Sequence, residues 1–123
     1  MQFIDSHIHL QDDKIRNAQQ IIAEMKKLGF VKAVCVSSHE QDWEKVAKIA
    51  DENPEFIIPA FGIHPWYISE ISSEWQHKLE NLIKKYPNAW IGECGLDRLK
   101  AQQWEGQEEV FTHQINLAKK YMQ

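Results

Sequence analysis

Two histidines separated by one residue, His7 and His9, close the first apolar stretch of the chain, Met1-Gln-Phe-Ile-Asp-Ser-His-Ile-His-Leu10. Phe3, Ile4 and Ile8 give that stretch the character of a strand. Alternate side chains of a strand share a face, so the two imidazoles project side by side with Asp5 behind them. Neutral imidazole is the commonest protein ligand for metal ions, and the pair makes half a coordination sphere. The same pattern also suits two polar residues beside a loop. Glu93 adds a third group. It lies in Trp90-Ile-Gly-Glu-Cys-Gly-Leu-Asp97, an otherwise apolar strand, between Gly92 and Gly95. A carboxylate there is costly unless it is paired, hydrogen-bonded or bound to metal. The flanking glycines leave room for a backbone, an ion or a ligand. An arginine or backbone donors would satisfy Glu93 as well as a metal would. Strand alternation predicts Ile91, Glu93 and Gly95 on the inner face, with Trp90 and Cys94 under the helices.

Other candidates lie after the strands. His64, in Phe61-Gly-Ile-His-Pro-Trp66, can be an outer ligand, a substrate contact or a plain loop histidine. Trp66 can stack on a base or pack beneath its loop. His39 falls in the first turn of a helix, open to a solvated or a phosphate-facing role. His77 and His113 fall inside helices and read as non-functional. No glycine-rich phosphate loop and no G-x-S-x-G elbow occurs.

The elements that must position these groups repeat in one order. Strands are predicted at about Gln2–His7, Val31–Ser37, Phe56–Ile63 and Ala89–Gly95. Helices are predicted at about Asp13–Leu28, His39–Glu52, Glu74–Tyr86 and from Gln103 or Trp104 to the end. Ser38 with Gln41, and Ser73 with Gln76, have the spacing of capping boxes. Phe111, Ile115 and Ala118 mark the apolar side of the last helix. A βα unit repeated four times predicts an α/β fold with a parallel sheet, either open and doubly wound or half of a (βα)8 barrel. In such folds functional groups collect at the carboxyl ends of strands. Here those ends carry His7, His9, Ser37, Ser38, His39, His64, Glu93 and Asp97.

The 123 residues suit one domain over 1–123, and 43% hydrophobic with 26% charged residues suits a soluble globular chain. No leader and no membrane span is read, so a cytoplasmic protein with no membrane partner is expected. Cys35 and Cys94 fit no disulfide pattern and are expected as reduced thiols. A formal charge of −4 argues against a broad phosphate-binding surface. Bound divalent ions would reverse that sign locally.

Asp5-Ser-His-Ile-His9, Gly62-Ile-His-Pro65 and Gly92-Glu-Cys-Gly-Leu-Asp97 resemble, in order and spacing, the TatD family of metal-dependent hydrolases and deoxyribonucleases, whose fold is an amidohydrolase-like TIM-type (β/α)8 barrel. Gln107, Phe111, Gln114, Leu117 and Ala118 resemble that family's helix after its fourth strand. The resemblance implies that His7 and His9 hold one divalent metal and that Glu93 bridges two ions, of zinc, magnesium or manganese. It makes Glu93 the catalytic carboxylate and places His64 near the site as a substrate contact. It implies phosphodiester hydrolysis of a nucleic acid. Two further histidines and a late aspartate of the family have no counterpart here, so the chain resembles the amino-terminal half of the barrel. Weak or absent activity alone, and self-association through open sheet edges, are then expected. The alternatives are a non-catalytic assembly or binding module and a histidinol-phosphatase-like metallophosphatase.

Overall fold

The structure, a computed structural model, describes residues 1–99 and 104–122. Its strands are β1 (Phe3–Ile8), β2 (Phe30–Val36), β3 (Ile57–Phe61) and β4 (Trp90–Ile91). They form one parallel sheet in the order β1-β2-β3-β4. Its helices are α1 (Ala18–Lys27), α2 (Trp43–Glu52), α3 (Trp75–Lys85) and α4 (Trp104–Tyr121). Each strand neighbours the next in sequence, and a helix makes each crossover. This is half of a TIM-type barrel, an α/β arrangement of four βα units.

The main core lies between the sheet and the helices. Ala33, Cys35, Ile57 and Phe61 face Ile22, Met25, Val46, Leu79, Ile83 and Leu117 there. Val34, Val36 and Ala60 form a separate cluster on the other face of the sheet, with Ile58 against it. The Cys35 thiol is fully buried, and burial pushes its pKa up to about 11. Among the described residues no helix is long and apolar enough to cross a membrane.

Local side-chain bonds moved several predicted boundaries. Helix α1 starts at Ala18 rather than near Asp13. Asp12 takes the Lys14 N–H, and Asn17 accepts from Gln20 N as the N-cap. Such short polar loops compete with helix for the same backbone donors. The box read at Ser38 and Gln41 is made instead by His39 and Asp42, at the head of a 3-10 helix over Glu40–Asp42. No box forms at Ser73 and Gln76, since α3 is preceded by Glu74 with no side-chain cap. The neighbouring Ser72 N–H and hydroxyl both donate to Glu40, a carboxylate held below its usual range by Lys78 and Ser72.

The last helix turns a different face inward from the one predicted. Gln107, Val110, Gln114 and Leu117 are buried, and Ile115 is 36% exposed. Backbone satisfaction decides this. Gln114 Oε1 accepts from Ile63 N at 2.8 Å, and its Nε2 donates to the Ile63 and Val110 carbonyls. Gln107 closes a matching pair with the N–H and carbonyl of Asp97. An unpaired N–H and carbonyl at buried Ile63 would cost more than burying the Gln114 amide, and Gln107 does the same for the half-buried loop residue Asp97. Gln103, one of the two predicted starts, and Gln123, the predicted end, lie outside the described residues.

Strand β4 also departs from expectation. It has two residues, paired Ala60 to Trp90 and Phe61 to Ile91. Ile91 therefore joins the helix-side core, while Trp90 and Cys94 line a small cavity with Ser6, Val34, Val36 and Ala60 on the other face. Alternation could not be carried from Ile91 to Glu93, because the chain bends after Gly92.

Replacing Gln114 by leucine keeps the side chain's bulk and leaves the Ile63 N–H and carbonyl unpaired. We expect a loss of roughly 3 kcal/mol, read as a lower urea midpoint with unchanged m-value. A midpoint like that of the unaltered chain would show that α4 is not held by this clamp.

Candidate metal centre

His7 and His9 leave β1 at a bulge. Asp5 pairs with Ala33 and Ile8 with Cys35, so three steps on β1 match two on β2. A bulge inserts a residue and re-aims the side chains beside it. Asp5 Oδ1 accepts the His7 N–H at 3.0 Å and so fixes the displaced segment. Beyond the bulge, His9 Nδ1 lies 2.7 Å from the Val36 carbonyl oxygen. A carbonyl can only accept, so Nδ1 carries the proton and Nε2 of the neutral ring keeps its lone pair. Gln11 Nε2 donates to the same carbonyl, and to Asp42 Oδ2 at 2.9 Å. Cys35 donates its thiol proton to Gln11 Oε1.

Glu93 reaches the pair from the opposite edge of the sheet. Its backbone runs tight against β3, and a Cβ added at Gly62 would lie 2.8 Å from the Glu93 carbonyl oxygen. One added at Gly92 would lie 3.0 Å from the carbonyl oxygens of Ala60 and Ser37. Both glycines are therefore needed for Glu93 to come this close.

The three side chains converge. His7 Nε2 and His9 Nε2 are 3.1 Å apart, and Glu93 Oε1 lies 3.3 Å from the first and 3.9 Å from the second. The point equidistant from the three atoms lies ~2 Å from each, the bond length zinc makes with imidazole nitrogen and carboxylate oxygen. Two neutral imidazoles and a carboxylate suit a borderline divalent cation. The donor set and its spacing thus fit a metal ion, with His9 held in the required tautomer by a second-shell carbonyl.

His64 lies outside this trio. It lines, with His9 and Glu93, a cleft of about 730 Å³ that also meets Lys14, His39, Lys45, Trp66 and Tyr67. Its Nδ1 accepts from the Trp66 N–H at 3.1 Å. The proton of the neutral ring is therefore on Nε2, which makes His64 a hydrogen-bond donor. His39 stacks on Tyr67 with ring centres 4.6 Å apart. Trp66 is not packed beneath its loop: it is 53% exposed, and its Nε1 donates to Asp97 Oδ2. His77 hydrogen-bonds Asn81 on an exposed face, and His113 lies edge-on to Trp75. Burial raises the Cys94 pKa, which makes its thiol a poor nucleophile.

Sequence reasoning passed over Gln11 and Asp42, the buried polar pair behind His9. A signal was available for Gln11. It continues the alternation of His7 and His9, and a polar residue on a converging face has a reason to be there.

Comparison with known proteins follows the same lines. The family model described as TatD related DNase matches residues 4–123. Human deoxyribonuclease TATDN3 is 29% identical over 133 residues, covering 95% of this chain and 48% of that protein. The 3'-5' ssDNA/RNA exonuclease TatD of Pantoea ananatis is 28% identical, covering 81% of this chain and 39% of that protein. The crystal structure of YJJV, a TatD homolog from Escherichia coli K12, matches with a TM-score of 0.81 at 24% identity. That match covers 98% of this chain and 48% of the other. The chain thus spans about half the length of the relatives it matches, or somewhat less.

Calorimetric titration with Zn²⁺ or Mn²⁺ should give a binding isotherm that the His7→Ala/His9→Ala double variant lacks. Replacing Gln11 by leucine leaves all three ligands in place and removes one support behind them, and should weaken binding about 10-fold. Equal heats from the unaltered chain and the double variant would remove His7 and His9 from the site.

Proposed function

Since the chain belongs to the family of TatD related DNases, we propose that His7, His9 and Glu93 are its ligands for divalent metal in the hydrolysis of phosphodiester bonds of a nucleic acid. The observation that carries the reading is the convergence of three ligand atoms, each ~2 Å from one point, at the mouth of a parallel sheet. Zinc, magnesium or manganese held there would supply Lewis-acid polarisation of a phosphoryl oxygen and would acidify an attacking water. His9 contributes its lone pair without rotating, because the Val36 carbonyl holds its other nitrogen. Glu93 contributes the negative charge that balances the cation, and its second oxygen can serve a neighbouring ion. His64 contributes an Nε2–H that can donate to a substrate oxygen, since its Nδ1 is engaged by Trp66 N.

The cleft's own charge makes substrate binding depend on metal. Asp12, Asp13, Asp42 and Glu93 line it against two cationic side chains, Lys14 and Lys45. Lys45 already pairs with Asp13 at 2.7 Å. Without divalent ions this surface repels a polyanion, and with them its sign reverses. Among the described residues, His7, His9 and Glu93 are the one group of three or more such side chains close enough to share an ion. Three protein ligands leave a position open for a water or a substrate oxygen. The two unpaired thiols suit a reducing compartment such as the cytoplasm.

A second reading, association through the sheet edges, has its own observation. β1 and β4 are the outer strands of the sheet, and Phe3, Ile4 and Trp90 on them are 42%, 63% and 50% exposed. Unpaired strand edges with apolar side chains favour self-association, with or without catalysis.

A labelled single-stranded oligonucleotide should bind in Mn²⁺ and lose that binding in EDTA. Cleavage should fall at least 100-fold in Glu93→Gln. Binding of equal strength in EDTA, or a Glu93→Gln chain that cleaves as well, would overturn the metal-hydrolase reading. Light scattering over a concentration series should show a mass rising above that of the 14.5 kDa chain. A constant monomer mass would refute association through the edges.

A further inference from the structure

We propose that His39 is a further substrate-binding residue, which donates from Nε2 to a phosphate that the metal does not hold, and that Tyr67 is the residue that positions it. The inference rests on the metal-hydrolase reading and adds to it a second point of attachment for the substrate. His39 follows β2 and His64 follows β3, and both line the cleft that holds His9 and Glu93. The His39 ring is held at one face and one edge. Tyr67 stacks on the face, with ring centres 4.6 Å apart and planes 25° from parallel. Tyr67 also meets the His64 ring edge-on at 6.2 Å, and its N–H donates to the His64 carbonyl at 3.0 Å. At the held edge, His39 Nδ1 lies 3.3 Å from the Ser38 hydroxyl and 3.6 Å from Asp42 Oδ2. Asp42 is 5% exposed and is itself tied down by Ser38 N, His39 N and the Gln11 amide. His39 Nε2, at the other edge, has no partner among the described residues and is open to solvent.

Capping the 3-10 helix accounts for the Nδ1 edge alone. It does not account for a ring laid flat on Tyr67 with its far nitrogen open to the cleft. Two states of the ring carry a proton on Nε2. One is the neutral ring whose Nδ1 accepts from the Ser38 hydroxyl, and the other is the imidazolium whose Nδ1–H faces Asp42. An anionic oxygen at Nε2 selects those states, because a charged acceptor makes the stronger hydrogen bond. The other basic groups of the cleft do less here, since Lys45 already pairs with Asp13. His39 stands apart from the side chains close enough to share an ion. Between its ring and that of His9 lie the Val36 carbonyl, the Gln11 amide and the Asp42 carboxylate in series. The phosphate that His39 meets is therefore a neighbour of the one at the metal. Holding the ring in place beforehand lowers the ordering cost of the complex, which is why Tyr67 affects affinity without touching the phosphate.

The test is fluorescence anisotropy in Mn²⁺ with a labelled oligothymidine and a series of the same strand in which one linkage at a time is a neutral methylphosphonate. In the unaltered chain, neutralising a linkage next to the one at the metal should weaken binding. His39→Ala should weaken binding of the all-phosphate strand roughly 10-fold. It should also erase the effect of that neighbouring linkage and keep the effect of the linkage at the metal. His39→Gln, which keeps a donor at the reach of Nε2, should restore most of the affinity. Tyr67→Leu should reproduce part of the loss at the same linkage, and Tyr67→Phe, which keeps the ring, should restore it. The Zn²⁺ isotherm should be unchanged in all four variants, because none alters a ligand. If His39→Ala binds the strand as well as the unaltered chain does, or if every linkage keeps its effect in that variant, the contact is refuted while the metal site stands. A lower urea midpoint with the linkage pattern intact would likewise reduce His39 to a helix cap. If the unaltered chain binds no strand in Mn²⁺, both readings fall together.

Discussion

Backbone groups left unpaired where the strands stop are the constraint around which this mouth is built. A parallel sheet that curls ends its strands at different heights, and each buried N–H and carbonyl beyond the last ladder bond needs a partner. Side chains supply them one by one. Ser37 Oγ accepts from Gly62 N, Asp42 from Ser38 N, Gln114 takes Ile63, and Gln107 takes Asp97. His9 and Gln11 share the carbonyl of Val36. The polar ring so formed is first a solution to a packing problem. It also holds the functional groups still.

That dual use is plainest in the two histidines of opposite tautomer. His9 meets a backbone acceptor through Nδ1 and is left with a lone pair at Nε2. His64 meets a backbone donor through Nδ1 and is left with a proton at Nε2. The same side chain is thereby assigned to a cation in one place and to an electron-rich oxygen in the other. Neither assignment depends on a charged neighbour. Each follows from whether the nearest peptide offers C=O or N–H.

The repeating βα order and the parallel sheet could be read from residue type and spacing, while the meeting of His7, His9 and Glu93 was implied by the family resemblance. What stayed illegible has a common cause. Periodicity presumes that an element continues, and here the informative residues lie where elements stop. Strand β4 ends at Ile91, and alternation carried across the bend that follows put Trp90, Ile91 and Cys94 on the wrong faces. An apolar stripe was sought on the last helix, and the buried face proved to include two glutamines whose partners lie 51 and 10 residues away. Asp12 and Asn17 shortened the first helix through bonds that hydrophobic spacing does not register. Residue type leaves Trp66 open between stacking on a base and packing beneath its loop, and the structure excludes the second, with the side chain 53% exposed and its Nε1 bonded to Asp97.

The partner that orients His9 belongs to the main chain, and this has a bearing on how the protein can vary. A side-chain acceptor can be lost by one nucleotide change, but the oxygen of Val36 is present whatever residue occupies that position. Drift at position 36 is therefore limited by the volume of the small cluster with Val34 and Ala60 rather than by the site's chemistry. A one-residue deletion in β2 would be of another kind. It would slide a different peptide under the imidazole and exchange the faces of every strand residue beyond it. Lineages carrying such a site can thus exchange apolar residues of like volume at position 36 without loss of the acceptor, while the length of that strand is held fixed.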